Sequence, residues 1–310
     1  MTGSIAERWA RGRTFHHSRY PAERIVRERT ESVSVCLPAK ECAGTVGAIV
    51  GELVRLKEAG VLDEIVVVDA DSRDGTAGVA QRAGAVVCQE ADLLPQFGAV
   101  LGKGDAMWRA LSVLEGDLVC YLDADTEGFS GHFATGLVGP LVCERGVELV
   151  KAFYRRPFEQ GGVTLPEGGG RVNHLVARPA LALFYPDLAG LRQPLAGEVA
   201  ARRDLLERLP FATGYGVEIA MLIDAWREVG LDAIAQVDLE VHRNRHQPLA
   251  TLTPMAHTVL ATIARRLERE GRLRGVESCA ASPPGAPEPP PEAGAWPPER
   301  PPLASVGVAR

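Results

Sequence analysis

Leu118-Val119-Cys120-Tyr121-Leu122-Asp123-Ala124-Asp125-Thr126 is an apolar run that ends in two carboxylates. The run reads as a strand, and acids two apart on its last extended residues point the same way. Carboxylates placed so suit a hard divalent cation bridging a diphosphate. They equally suit a polar strand end with Asp125 capping the next helix.

Upstream the chain alternates strand and helix. Residues 32–37 and 65–69 are strand-like, and 85–88 makes a third strand. Helical spacing fills 45–59, with Val46, Ile49, Val50, Leu53 and Leu56 on one face, and helices are also expected over 75–83 and 104–115. Repeated units of this kind predict an α/β fold: a Rossmann-like, mostly parallel sheet with helices on both faces. Ligands then sit beyond the carboxyl ends of the strands. The second half is less regular. Strands are expected over 148–154 and 234–239, and a helix over 216–229. A closing helix over 253–272 would take Thr253 as N-cap and Pro254 as its first residue. Residues 159–170 hold five glycines and a proline and read as a mobile loop.

Composition narrows the function. The 310 residues are 46% hydrophobic and 24% charged, the balance of a globular protein. A net charge of −6 and 5% aromatics argue against a nucleic-acid surface. No apolar run is long enough to span a bilayer, and residues 1–29 have no secretory core, so neither nucleic acid nor membrane is an expected partner and the cytoplasm is the expected location. The six cysteines form no CxxC pair and read as reduced. The expected division is an N-terminal arm (1–30), one catalytic domain (31–275, split near 150 into donor and acceptor halves) and a disordered Pro-rich tail (276–310) whose removal costs nothing.

Two further turns carry chemistry. Gly102-Lys103-Gly104-Asp105-Ala106 opens a helix where glycine, lysine and the helix N-terminus favour a phosphate. Val68-Asp69-Ala70-Asp71-Ser72-Arg73-Asp74-Gly75-Thr76 is an acid-rich turn in which Asp71 or Ser72 can hydrogen-bond a ribose or base, or simply cap the helix. With Leu37-Pro38-Ala39 after the first strand, these turns resemble the GT-A glycosyltransferases, which bind nucleotide-diphosphate sugars.

Four later segments narrow the resemblance. They are Gly168-Gly-Gly-Arg-Val-Asn-His-Leu-Val-Ala-Arg-Pro179, Gln193-Pro-Leu-Ala-Gly-Glu198, Gly214-Tyr-Gly-Val-Glu218 and His242-Arg-Asn-Arg245. In this order they resemble the glucosyl-3-phosphoglycerate and mannosyl-3-phosphoglycerate synthase family, over about 33–267. The resemblance implies a GT-A fold with a helical C-terminal extension and a retaining transfer of hexose to 3-phosphoglycerate, in compatible-solute biosynthesis. It implies Mg²⁺ or Mn²⁺ held by Asp125 and His242. Asp123 and Ala124 would meet the nucleotide ribose, Lys103 the diphosphate region, and Pro38, Ala39, Glu41, Asp71 and Ser72 the rest of the nucleotide. Gly170, Arg171, Val172 and Asn173, with Asn244, would grip the acceptor. Leu195 would present its carbonyl near the anomeric centre, and Glu218 would order the sugar hydroxyls with Tyr215 nearby. Same-face displacement is expected, since no carboxylate is placed as a nucleophile. A homodimer is compatible with this reading.

Each residue has a plainer role open to it. His242 can be structural, Arg171 solvated, Glu218 a surface acid, Leu195 core, Tyr215 filling and Asn244 turn chemistry. The chain also departs from the family pattern: Lys40-Glu41-Cys42-Ala43-Gly44 replaces the usual Asn and run of Glu of glucosyl members, and Asn173 stands where Thr is common. The altered base loop tilts the donor from UDP-glucose towards GDP-mannose. Two other classes bind the same nucleotides. A sugar-1-phosphate nucleotidyltransferase needs a glycine-rich, lysine-containing loop straight after the first strand, of which 37–44 is a poor version. A non-catalytic sensor could shed the metal pair, whereas Asp123, Asp125 and His242 are all present.

Overall fold

The computed structural model describes residues 3–160, 163–165, 168–243, 248–274 and 296–307. The chain opens with α1 (Ile5–Arg13), β1 (Thr14–His16), α2 (Ala22–Glu28) and β2 (Val33–Ala39). Then follow α3 (Val46–Glu58), β3 (Glu64–Asp69), α4 (Thr76–Ala83), β4 (Val86–Gln89), α5 (Lys103–Ala110) and β5 (Leu118–Tyr121). Next come α6 (His132–Cys143), β6 (Leu149–Arg155), the hairpin strands β7 (Phe158–Gln160) and β8 (Val163–Leu165), α7 (Arg178–Phe184) and β9 (Val199–Arg202). The rest is α8 (Arg203–Arg208), β10 (Phe211–Ala212), α9 (Val217–Val229), β11 (Ile234–Val241), α10 (Leu249–Arg269) and β12 (Glu299–Arg300).

Eight strands form one sheet in the order β1-β11-β6-β9-β5-β2-β3-β4. All neighbours are parallel except at β9, which runs against both β5 and β6. The alternation along β5 explains its burial. Val119 and Tyr121 enter the core on one face of the sheet, and Leu118, Cys120 and Leu122 the core on the other. β3 divides likewise, with Val66 and Val68 opposite Ile65 and Val67. Strands buried on both faces need continuous apolar runs, which is why these were legible.

Three expectations are corrected. Residues 1–30 are not a peripheral arm. Ser4 and Glu7 cap α1 reciprocally, and buried Trp9 donates its Nε1 to Ile234 O at 2.8 Å. β1 then closes the sheet against β11. Tyr20 is fully buried over α6, where a Cβ on Gly139 would lie 2.2 Å from its ring. Gly136, Gly139 and Pro140 hide α6 from a propensity reading, and the glycine is there because Tyr20 needs its space.

The Pro-rich tail is the second correction. Within it, residues 296–307 are ordered against the body. β12 pairs with β10, Thr213 donates from both N and Oγ1 to Pro298 O, and Leu303 is buried. Arg300 reaches Asp105 with two bonds, Nε–Oδ1 2.7 Å and Nη2–Oδ2 2.5 Å. Glu299 meets Arg266 at 3.0 Å and Arg269 at 2.6 Å. Composition could not show this, because charged groups hold the segment where apolar area is scarce. Third, α10 begins at Leu249 rather than beside Thr253, and Pro254 lies inside it. A proline near a helix start sacrifices one bond, which the rest of this 21-residue helix outweighs. Among the described residues no helix is long and apolar enough to cross a membrane.

Candidate active site

The loops after β2, β3, β5, β6 and β11 open on one edge of the sheet. Because β9 is antiparallel, its beginning lies on that edge: Val199 faces Tyr121. Glu198, just before it, is thereby carried next to the acids that follow β5.

Asp123 Oδ1 accepts from Lys103 Nζ at 2.6 Å, and Lys103 Nζ also lies 3.1 Å from Glu218 Oε1. The three residues come from three elements: the β5 end, the first turn of α5 and the first turn of α9. Burial disfavours the ammonium, but Asp123 and Glu218 outweigh it and raise the Lys103 pKa. A Cβ on Gly197 would lie 2.4 Å from Asp123 Oδ2, so glycine there is what lets the carboxylate sit where it does.

Beside this network lies a buried histidine. His242 Nε2 is 2.8 Å from Glu198 Oε1 and 3.1 Å from Thr126 Oγ1, and its ring stacks on Tyr154 at 4.5 Å. Tyr154 OH donates to the other Glu198 oxygen at 2.7 Å. Burial works against a charged imidazole, yet Glu198 overcomes it and raises the His242 pKa. Burial likewise opposes the Glu198 carboxylate, but His242 and the Tyr154 hydroxyl hold its pKa down. His242 Nδ1 is buried without a hydrogen-bond partner among the described residues. Glu198 Oε1, though close to the ring, is likewise buried without a hydrogen bond among the described residues, so the pair presents unsatisfied ligand atoms, as a metal site does.

Ligand atoms of Asp123, Glu198 and His242 lie within 4.8 Å of one another. A mixed oxygen and nitrogen set of this kind fits Mg²⁺ or Mn²⁺. Asp125, the expected ligand, is outside that group. It is open to solvent as a residue, while its carboxyl is partly desolvated in the cleft and close to Asp123; both effects raise its pKa. A cation would relieve both. Thr45 Oγ1 donates to Ala124 O at 2.6 Å, tying the acid loop to the start of α3.

On the nucleotide side, Pro38 and Ala39 end β2. Glu41 and Asp71 both adopt left-handed backbone, at φ 53° and 52°. Glu41 is engaged rather than free: its N–H donates to Ser72 Oγ at 2.9 Å and its Oε1 accepts from Arg73 N at 2.8 Å. The two loops are thus fastened to each other. Asp69 escaped the sequence reading as a site residue. It is 1% exposed, with one oxygen accepting from Ser72 N and Gln89 Nε2 and the other, Oδ1, unpartnered among the described residues.

On the acceptor side, Gly168 and Gly169 N–H groups both donate to Arg156 O, at 3.3 and 3.0 Å. Gly170 turns at φ 69° and delivers Arg171, whose guanidinium lies 5.1 Å over the Phe158 ring. Val172 packs on the core, and Asn173 opens a π-helical turn, Asn173–Ala177. Such turns recur at functional sites. Buried Asn173 accepts from Leu195 N at 2.9 Å, so the acceptor loop and the Leu195 segment are one unit. The same segment is held by Lys151, whose buried ammonium donates to Ala196 O and whose pKa burial pulls down to about 8. Tyr215 is half exposed on the turn between β10 and α9. Asn244 falls outside the described residues. Glu198 and Arg156 were also missed as site residues. Glu198 stands in a quoted segment, so the resemblance could have flagged it, whereas nothing local marks Arg156.

Comparison with known proteins identifies the family. The glycosyl transferase family 2 model matches residues 34–138. Glucosyl-3-phosphoglycerate synthase of Petrotoga mobilis is 41% identical over 267 residues, covering 84% of this chain and 82% of that one. The crystal structure of mannosyl-3-phosphoglycerate synthase from Rubrobacter xylanophilus superposes with a TM-score of 0.87 at 44% identity, covering 99% of both chains. Glucosyl-3-phosphoglycerate synthase from Mycobacterium tuberculosis, in complex with Mn²⁺, UDP and glucosyl-3-phosphoglycerate, gives a TM-score of 0.78 at 36% identity over 95% of this chain and 99% of that one. Fold, acid loop and relatives converge: the chain belongs to the glucosyl-3-phosphoglycerate and mannosyl-3-phosphoglycerate synthase family of GT-A glycosyltransferases.

Proposed function

We propose that this enzyme transfers a hexose from a nucleotide-diphosphate sugar to the hydroxyl of 3-phosphoglycerate, with GDP-mannose the favoured donor and UDP-glucose the alternative. The observation that carries the reading is the pairing of Lys103, Asp123 and Glu218 beside the Asp123, Glu198 and His242 cluster. A cation-binding site and a fixed ammonium side by side suit a diphosphate leaving group. The loop at 40–44 supports GDP-mannose, and the glucosyl relatives support UDP-glucose.

Asp125 and His242 are proposed to hold the divalent cation, with Asp123 and Glu198 next to it. Bound there, Mg²⁺ or Mn²⁺ supplies neutralisation of the leaving diphosphate. Lys103 orients the diphosphate, and Glu218 orders the sugar hydroxyls. Asn173 holds the Leu195 backbone so that its carbonyl faces the anomeric carbon. Arg171 grips the acceptor's phosphate or carboxylate, with Asn244 on the same ligand. Positioning and electrostatics provide the catalysis. Incubation with donor, metal and 3-phosphoglycerate releases a nucleoside diphosphate. Pyrophosphate would show a nucleotidyltransferase, and no product a sensor. A panel of donors ranks GDP-mannose against UDP-glucose.

Two substitutions test assigned roles. Glu198→Gln keeps the shape but removes the charge that fixes His242. The Mn²⁺ concentration for half-maximal rate should rise about 10–100-fold, the usual cost of losing a supporting partner; an unchanged metal dependence would remove Glu198 from the site. Arg171→Lys keeps a cation but loses the planar fork. Acceptor KM should rise by about 1.5–3 kcal/mol in free-energy terms while donor KM changes little. If donor KM rises instead, or glycerate works as well as 3-phosphoglycerate, Arg171 serves another purpose.

A further inference from the structure

On the opposite flank of β11 a second group of ligating side chains comes together, one that the transfer reaction does not use. It comprises His16 and His17, at the end of β1, and Glu240, near the end of β11. Their ligand atoms lie within 4.8 Å of one another. Glu240 Oε1 is 3.6 Å from His16 Nε2 and 3.3 Å from His17 Nε2. His17 Nε2 is buried and, despite that distance, has no hydrogen-bond partner among the described residues. It faces the carboxylate off-line, as two ligands of one ion face each other.

The separations match an ion. Zinc bound at 2.0–2.1 Å in a tetrahedron holds its ligand atoms about 3.3 Å apart. The rings are also held in place. The His16 and His17 rings pack at 4.5 Å, tilted by 33°, and His17 packs on His132 at 4.3 Å, tilted by 39°. His132 is itself tied to Leu239 O at 3.1 Å. Ser18 fixes the His16 ring, with its Oγ 2.8 Å from Nδ1, so that Nε2 is turned towards Glu240. Ser18 N–H donates to the same Nδ1 at 3.3 Å.

Glu240 reaches the histidines through an irregularity. The register of β11 shifts between Asp238 and Val241, and Glu240 takes a left-handed φ of 65°. Bulges re-aim side chains. This one turns His242 into the active site and Glu240 out to the histidine pair.

We propose that His16, His17 and Glu240 form a second metal site that takes a borderline divalent ion, zinc above all, with a fourth position open to water. Two imidazoles and one carboxylate select zinc over the hard cations suited to the oxygen-rich active site.

Dialysis of EDTA-stripped full-length protein against micromolar zinc chloride, with bound zinc counted by atomic emission, tests this. Wild type and Asp125→Ala should each hold one more zinc than Glu240→Gln or the double variant His16→Ala/His17→Ala. The exposed Glu240→Gln should keep its melting temperature, so its loss of zinc cannot be ascribed to unfolding. Co²⁺ should give wild type an intense tetrahedral visible spectrum that Glu240→Gln lacks. Equal zinc in wild type and Glu240→Gln, or a weak octahedral Co²⁺ spectrum in both, would overturn the site.

Discussion

Asp125→Ala should abolish turnover and leave the melting temperature where it was, and excess EDTA should silence the wild-type enzyme equally. Asp125 is exposed and accepts no hydrogen bond among the described residues, so its removal leaves no buried group stranded. Its carboxyl is destabilised by desolvation and by Asp123, and a bound cation converts that liability into affinity. A metal's neutralisation of a leaving group is worth several kcal/mol. About 4 kcal/mol corresponds to a rate loss on the order of 10³-fold. Asp123→Ala is the contrast: it strands Lys103 beside Glu218 and should lower stability as well as rate. Full activity in excess EDTA would falsify the metal-dependent reading.

Ending the chain at residue 274 should lower the melting temperature by about 10 °C and weaken donor binding. Asp105 is fully buried and is shared by Arg109 and Arg300. It also accepts from Leu101 N at 2.9 Å, at the start of the helix that carries Lys103. Truncation removes Arg300, and with it the Nη1 bond to Phe97 O and the cover over Trp108. Arg266, 1% exposed, loses Glu299 and keeps Asp224. Removing one partner of a buried pair costs about 3–5 kcal/mol. At about 2–4 °C per kcal/mol for a chain of this size, the fall is about 10 °C. Arg300→Ala alone should account for roughly half of it by the same reasoning. A truncated protein with wild-type melting and donor KM would show the segment to be ornamental.

The donor half was readable because its strands are buried on both faces. An unbroken Ile65-Val-Val-Val-Asp69 announces itself, and so do the acids that follow β5. β9 is only Val199-Ala-Ala-Arg202, too short and too bland to mark a strand, yet it inserts between β5 and β6 and carries Glu198 into place. Arg300 and Asp105 look like surface charges in sequence, and only their long-range meeting makes them core. Asp69 shows the same limit. It was quoted as the end of a strand, and its unpartnered oxygen appears only once Ser72 and Gln89 occupy the other. The family motifs pointed to Arg171, Asn173 and His242, but the hydrogen bond from Leu195 to Asn173 is a property of the fold.

The remote pairings at the two ends have a kinetic consequence. Trp9 meets Ile234 across 225 positions, and Arg300 meets Asp105 across 195. Contacts of such separation cannot form on a nascent chain until nearly all of it has left the ribosome, and high contact order slows folding. During synthesis Asp105 must therefore wait, with Arg109 as its partner, for the 296–307 segment to bring Arg300. Refolding from denaturant should accordingly show secondary structure returning well before donor binding, with the 296–307 strap among the final pieces to lock.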